Sequence, residues 1–395
     1  MELNHQAVAP VHVYLDSQDF SRFSEQRDDE VRQELLQLKG AGIARFVFSD
    51  IHIFECFPVA PAYQKEGLER IRTIAEFCGR HNLPSSIDLI EYELNAMLAT
   101  VSPRSNTKVP VDWFPEFDFP KPGKDAYKKS VKDLDGVPLN RNTRRALVKK
   151  LSSGKTPFSP AEAERATDEM MECYPFFSSG RHKILAYFRG DGSWAQVRDC
   201  VKEGLRDLPE FSEWLVSHWE FGGKFISGLR GGGESLFNNI NKLKNNIAKN
   251  VDDALLIMPK VDVEKIVKGI VRETWPQFFA GVPQRLVRSY LDIQNPPENL
   301  PFGPELTPSN WLMWRFIGEV MLKSATVDKA RKPRRSDFAD AMHVFFAPRV
   351  DVFRGDQFSC GVLERLMANS STHVVASLQD LPGVIRKVHR TRFMG

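Results

Sequence analysis

The sequence predicts an α/β fold in which strands from both ends of the chain share one mostly parallel sheet, with a helical block between them. Three observations carry this. Short apolar runs ending in an acid, VHVYLD (11–16) and ARFVFSD (44–50), alternate with helix-period segments near the N-terminus. Similar runs return only at VDVFRGD (350–356) and THVVASL (372–378). Between about 125 and 330 the apolar spacing is helical. Neither end has enough strands for a stable sheet alone. The economical arrangement is one α/β domain from residues 1–100 and 332–395, interrupted by a mostly helical insertion, 101–331.

Taken in order, residues 11–16 read as a strand that feeds into the polar turn SQDF. Residues 25–39 are helical, with Val31, Leu35, Leu36 and Leu38 as the apolar stripe and Gly40 near the stop. Residues 44–50 form the second strand, and 61–81 a helix burying Leu68, Ile71, Ile74, Ala75 and Cys78. SSIDLIEYELNAML (85–98) reads either as a strand running into a helix or as a helix throughout. The proline- and aromatic-rich stretch 102–124 is an irregular connection. Helices follow at 159–174, 193–205 and 309–325, the first opened by a capping box with Ser159 as N-cap and Glu162 reaching back. The glycine-rich GLRGGGESLFNN (228–239) reads as a hinge or loop. A helix in SDFADAMHVFFA then precedes the last two strands.

Composition narrows the function classes. The chain has 395 residues, 42% hydrophobic and 27% charged, as in a globular protein. No run approaches the roughly 20 apolar residues of a membrane span, and the start lacks the pattern of a secretory signal. Five cysteines, scattered and without a CxxC pair, exclude a zinc ribbon and a disulfide framework. A reducing cytoplasm is the expected compartment. Net charge is only +3, so partners must be argued from local charge.

Four acids stand out: Asp16, Glu55, Asp340 and Asp356. Each lies at the end of a strand, just after one, or in the first turn of a helix. In a parallel sheet, ligands collect at the carboxyl ends of the strands, so the four can meet on one rim. Acids gathered with few obvious cations beside them in sequence suggest a divalent ion, Mg²⁺ or Mn²⁺. Two such ions about 4 Å apart can activate a water and stabilise the leaving oxygen of a phosphodiester. Alone, Asp16 would be read as a turn cap; as one of four, it is read as a ligand. Asp337, His343 and Ser17 are supporting candidates. Asp337 fits the cap of the helix bearing Asp340, and His343 touches a phosphate, orients a carboxylate or, as is commoner for a lone histidine, is satisfied in the core. Asp19 is expected as a cap or rim carboxylate, Asp50 as an N-cap, Glu91 and Glu93 at the surface or in salt bridges, and Asp351 facing away from the site. SSGKT (152–156) lacks the glycine and preceding strand of a phosphate loop.

The order strand–Asp, strand–Ser-Asp-x-x-x-x-Glu, Asp-Ala-x-His-x-x-x-x-Pro, then strand–Gly-Asp resembles the PIN-domain nucleases, metal-dependent enzymes that mostly cut RNA. The resemblance covers the two chain ends, with DAMHVFFAPRVDVFRGDQF (340–358) its most specific piece. It implies a PIN-like sheet flanked by helices, with Asp16, Glu55, Asp340 and Asp356 as metal ligands. Where the family carries Thr-Asp, this chain has Gly355-Asp356.

Two basic segments bear on substrate. Residues 121–150 carry ten Lys or Arg, among them Arg144, Arg145, Lys149 and Lys150, against three Asp. KARKPRRSD (329–337) sets Arg331, Lys332, Arg334 and Arg335 directly before the acidic helix. Cations beside a carboxylate cluster suit a polyanion crossing a metal site. The tryptophans at 194, 214, 219, 311 and 314 read as helical core rather than base-stacking platforms. The expectation is a Mg²⁺- or Mn²⁺-dependent endoribonuclease acting on single-stranded RNA, with nucleic acid and no membrane as partner. A toxin or defence role is compatible, and a homo-oligomer or a regulatory protein partner stays open. The alternatives are a catalytically inactive PIN-like nucleic-acid-binding or regulatory protein and a DNA or flap nuclease.

Overall fold

The computed structural model describes residues 9–57, 60–101, 108–114, 158–173, 178–218, 279–325 and 332–394, with single positions between 231 and 265. Two compact units emerge: Met1–Pro115 with Trp219–Gly395, and Glu116–His218.

The larger unit is built on four parallel strands in the order β2-β1-β3-β4: β1 (Val11–Tyr14), β2 (Ala44–Val47), β3 (Val352–Arg354) and β4 (His373–Val375). Strands from the two chain ends therefore share one sheet, Val13 pairing with Val352 and Tyr14 with Phe353. Beyond β2, Phe48 bridges to Asn82 and adds one more parallel contact at that edge. Valine, phenylalanine and tyrosine dominate β1 and β3, which are buried on both faces, as covered parallel strands require.

Each parallel step needs a crossover. Helices α1 (Ser17–Ser24) and α2 (Asp29–Gly40) join β1 to β2. Helices α3 (Asp50–Cys56), α4 (Gln64–Cys78) and α5 (Ser86–Ala99) follow β2. Residues 85–98 thus resolve as a helix, and SQDF begins a helix rather than a free turn. On one sheet face Phe46 meets Phe77 edge-on, and Phe77 stacks on Phe23. On the other, Tyr14, Val47 and Phe353 join a larger core.

That larger core also takes in α10 (Val282–Leu291) and α11 (Pro308–Ala325), through Val282, Leu286, Val287, Leu312, Phe316, Ile317 and Val320. Residues 282–325, expected inside a 101–331 insertion, share the core of the sheet unit. Trp311 and Trp314 pack against the same cluster. Glu93 of α5 shows how tightly they are joined. It is 1% exposed, pairs with Arg349, and accepts the backbone N–H groups of Ser309 (3.1 Å) and Asn310 (3.0 Å) at the start of α11. The carboxylate caps the positive helix end, so Glu93 is a buried structural acid rather than a surface one. After α11 come α12 (Asp337–Val344), α13 (Gln357–Leu366) and α14 (Leu381–Met394).

The smaller unit holds α6 (Pro160–Cys173), α7 (Arg181–Arg189), α8 (Trp194–Arg206) and α9 (Leu208–Ser217) around Ala163, Ile184, Phe188, Val197, Val201, Leu205, Leu208, Phe211 and Trp214. The Ser159 amide donates to Glu162 Oε2 at 2.7 Å, and the Glu162 amide to Ser159 Oγ at 3.4 Å, forming the expected capping box. At its described positions the glycine-rich segment, expected as a hinge or loop, is helical: Gly231, Gly233, Glu234, Ser235, Phe237, Asn238 and Asn239. A Cβ at Gly233 would lie 2.4 Å from the Arg335 carbonyl oxygen, so the glycine permits a close backbone approach.

No helix among the described residues is long and apolar enough to cross a membrane. The cysteines at 56, 78, 200 and 360 are free and buried.

Candidate functional site

Strand order makes the crevice. The chain leaves β1 toward β2 on one side, while β3 lies on the other, so the connections diverge at the carboxyl ends of β1 and β3. Asp16 and Asp356 follow these two strands. Both are N-caps: Asp16 Oδ1 accepts the Gln18 amide at 3.0 Å, and Asp356 Oδ1 accepts the Ser359 amide at 2.6 Å. The capping role and a place in the cluster coexist, because a cap uses only one carboxylate oxygen. Gly355, just before Asp356, stands where a side chain would crowd its neighbour. A Cβ there would lie 2.9 Å from the ring of Phe353, which is buried and stacks on Tyr14 with centroids 5.4 Å apart.

Asp340 enters from the first turn of α12. Burial, then the charges of Asp16 and Asp356, push its carboxyl up to about 7, against the opposing pull of His343. Asp340 thus lies within the field of two aspartates delivered by two other elements. All three are only partly buried. Among the described residues no lysine or arginine forms an ion pair with any of them.

Glu55, on α3, is treated differently. Its Oε2 lies 2.8 Å from His343 Nε2, and 29% of its side chain remains exposed. Burial alone would raise its carboxyl, but the His343 charge and hydrogen bonds from His343 and Ser17 hold it at about 2. In return, Glu55, Asp16 and Asp340 outweigh the burial of His343 and lift its ring to about 9. His343 thus stands against a carboxylate and is at the same time a buried histidine with both ring nitrogens partnered. Ser17 Oγ lies 3.1 Å from the same Nε2. Hydroxyl and acid on one ring nitrogen rule out a Ser-His-acid relay, which needs them on opposite nitrogens.

Behind His343 lies a polar chain that periodicity could not reveal. His343 Nδ1 lies 2.7 Å from the Tyr14 hydroxyl, which lies 2.9 Å from Ser49 Oγ. The Ser49 amide donates to His52 Nδ1 at 3.0 Å, and His52 Nε2–H donates to the Leu15 carbonyl at 2.7 Å. Burial holds His52 down at about 3, so the ring is neutral and its tautomer is set by the two backbone partners. A lone Tyr in an apolar strand was the available signal, since a buried hydroxyl needs a partner.

Other acids resolve as structural. Ser49, not Asp50, is the N-cap of α3; Asp50 is buried and accepts the Ser86 amide and hydroxyl, each at 2.7 Å. Asp19 is not on the rim but fully buried, 3.1 Å from the Arg354 guanidinium. Burial raises it to about 7 even so. Ser336 is the N-cap of α12, while Asp337 is buried and accepts the Arg334 amide at 2.8 Å. Asp351 binds the His12 amide at 2.7 Å and pairs with Arg392.

Of the basic candidates, Lys332, Arg334 and Arg335 are exposed ahead of α12, and Arg335 pairs with Glu234 at 3.0 Å. Arg331 and the segment 121–150, with Arg144, Arg145, Lys149 and Lys150, lie outside the described residues, as does SSGKT.

The donor set fits a hard divalent ion in its chemistry. Carboxylate oxygens are what Mg²⁺ and Mn²⁺ prefer, and mutual repulsion among the aspartates is what such an ion relieves. Among the described residues no three His, Cys, Asp or Glu side chains stand as a ready-made cage. Ion uptake therefore entails drawing the aspartates together. Comparison with protein-family models, curated proteins and solved structures returned no match for this chain.

Proposed function

We propose that this chain is a divalent-metal-dependent nuclease that hydrolyses phosphodiester bonds, with single-stranded RNA as the preferred substrate. The observation carrying the reading is the gathering of Asp16, Asp340 and Asp356 at the crevice between β1 and β3 with no lysine or arginine paired to them among the described residues. Glu93 and Asp19, buried in the same unit, each have an arginine partner; among the described residues these three have none.

Asp16, Asp340 and Asp356 would hold the ion, with Glu55 beside them. When bound, Mg²⁺ or Mn²⁺ supplies Lewis acidity toward the phosphodiester and the water that attacks it. The chain's own residues do the rest. Asp16 and Asp356 are fixed by their caps, so their free oxygens are offered from rigid helix starts. His343 and Ser17 keep Glu55 ionised at the rim. Lys332 and Arg334 stand exposed beside α12, where a phosphate backbone could be steered. The choice of RNA over DNA rests on the resemblance of the chain ends to PIN-domain nucleases.

The test is parallel digestion of labelled single-stranded RNA, single-stranded DNA and branched duplex by the pure protein with Mn²⁺. Cleavage of RNA that EDTA and Asp16→Asn both abolish supports the proposal. Tight binding without cleavage would make the chain a nucleic-acid-binding module, and preferential cutting of branched duplex would make it a flap nuclease.

A further inference from the structure

We infer that His343 is a positioning residue that clamps Glu55 at the metal rim, and that Tyr14, backed by Ser49 and His52, sets the angle of the clamp. The inference rests on the nuclease reading and deepens it.

The argument begins with connectivity. Tyr14 belongs to β1, Ser49 and His52 to the start of α3, and His343 to α12. These are the elements that deliver Asp16, Glu55 and Asp340. His343 is bonded to Glu55 across 288 positions and to Tyr14 across 329, so the chain ties together parts of the sequence that no local preference could align. Tyr14, Ser49 and His52 are wholly buried, and His343 is 4% exposed. Stray water therefore cannot substitute for a missing partner.

Direction follows from the fixed ends. The Ser49 amide can only donate, so His52 Nδ1 accepts, and His52 Nε2–H must donate to the Leu15 carbonyl. At the other end Glu55 can only accept, so His343 Nε2–H donates to it. Tyr14 Oη bridges His343 Nδ1 and Ser49 Oγ, so every polar group in the chain has a partner. The run starts at Glu55 and ends at Leu15, the residue before Asp16. One hydrogen-bonded line thus ties the Glu55 carboxylate to the backbone beside Asp16, and the ring packing around Tyr14 keeps it rigid: His52 lies 4.6 Å away and Phe353 5.4 Å, centroid to centroid.

Partners that orient metal-binding side chains cost about 10–100-fold in metal affinity or activity when removed. The experiment measures Mn²⁺ affinity by electron paramagnetic resonance, together with kcat and KM on a single-stranded RNA oligonucleotide. Wild type is compared with Tyr14→Phe, His343→Ala and His343→Gln. Tyr14→Phe keeps the ring and deletes only the hydroxyl. It should weaken Mn²⁺ binding and lower kcat by about tenfold each, leaving KM unchanged. His343→Ala should do more, and His343→Gln, which retains an N–H for Glu55, should recover part of the loss. A merely structural role would lower thermal stability and leave Mn²⁺ affinity where it was. If wild type binds Mn²⁺ and cleaves while folded Tyr14→Phe and His343→Ala match it, the clamp is overturned and the nuclease reading stands. If wild type neither binds Mn²⁺ nor cleaves, both fall together.

Discussion

Glu93 and Asp340 are both acids on helices of the same unit, and the fold handles them in opposite ways. Glu93 is buried with Arg349 beside it and two amides and a side-chain amide from the start of α11 aimed at it. Asp340 sits at a rim, is pushed up to about 7 by burial and by three more aspartates, Asp16, Asp356 and Asp337, and has only the already engaged His343 to oppose them. An acid kept for stability arrives with its counter-charges. An acid left among like charges costs stability, and that cost is tolerated where something else binds.

The sharpest way to break the comparison is to neutralise one acid of each kind. Asp340→Asn should cut RNA cleavage by about 10³-fold, equivalent to about 4 kcal/mol of transition-state stabilisation, while circular dichroism stays that of wild type. Retained cleavage would show that the rim is not the site. Glu93→Gln should do the reverse. It strips Arg349 of its partner and should lower unfolding free energy in urea by about 3 kcal/mol, with kcat of the folded protein within about twofold of wild type. A neutral effect on stability would mean that the α5–α11 junction is held by its apolar contacts alone.

Ion binding separates the two acids next. Mn²⁺ at about 100 times its Kd should stabilise the wild type and Glu93→Gln by about 2.7 kcal/mol in thermal denaturation. The gain should vanish in Asp340→Asn. An equal gain in all three proteins would place the ion elsewhere.

The smallest effect concerns Asp50, an acid with hydroxyl and amide partners but no cation. Burial raises its carboxyl from 3.8 to about 6 despite the two Ser86 hydrogen bonds. A raised pKa in the folded state makes ionisation costlier there than in the unfolded chain. Stability is therefore greatest below about pH 4 for this group and is lost as pH rises through 6. Asp50→Asn should flatten that slope, removing on the order of 1–2 kcal/mol of pH dependence between pH 4 and 7 in urea titrations. An unchanged slope would contradict the assignment.

Much of the frame is legible in the residues themselves. Apolar runs of β-branched and aromatic residues mark β1, β2 and β3, and the scarcity of strands at either end forces the two ends into one sheet. Acids at strand ends point to the rim because strand direction fixes where the crevice opens. What periodicity does not carry is the destination of each face. The amphipathic stripes of α10 and α11 are plain, but that they complete the core on Tyr14 and Phe353 depends on contacts hundreds of positions away. The same distance hides why Glu93 and Asp19 are buried, since their partners Arg349 and Arg354 lie near the other end of the chain. The glycines at 231–233 look like a loop by composition, yet a helix forms at the described positions, and Gly233 serves the contact with the Arg335 backbone. His343 is visible in sequence only as one histidine with several available roles; its place against Glu55 at 2.8 Å depends on a contact 288 positions away.

The account turns on a cation entering the space that Asp16, Asp340 and Asp356 surround. Anomalous diffraction from crystals of the protein soaked in Mn²⁺ addresses this directly. The predicted result is a difference peak bonded to carboxylate oxygens of those three residues. Crystals that take up Mn²⁺ only at surface acids, with the rim unoccupied and the three side chains unmoved, would contradict it.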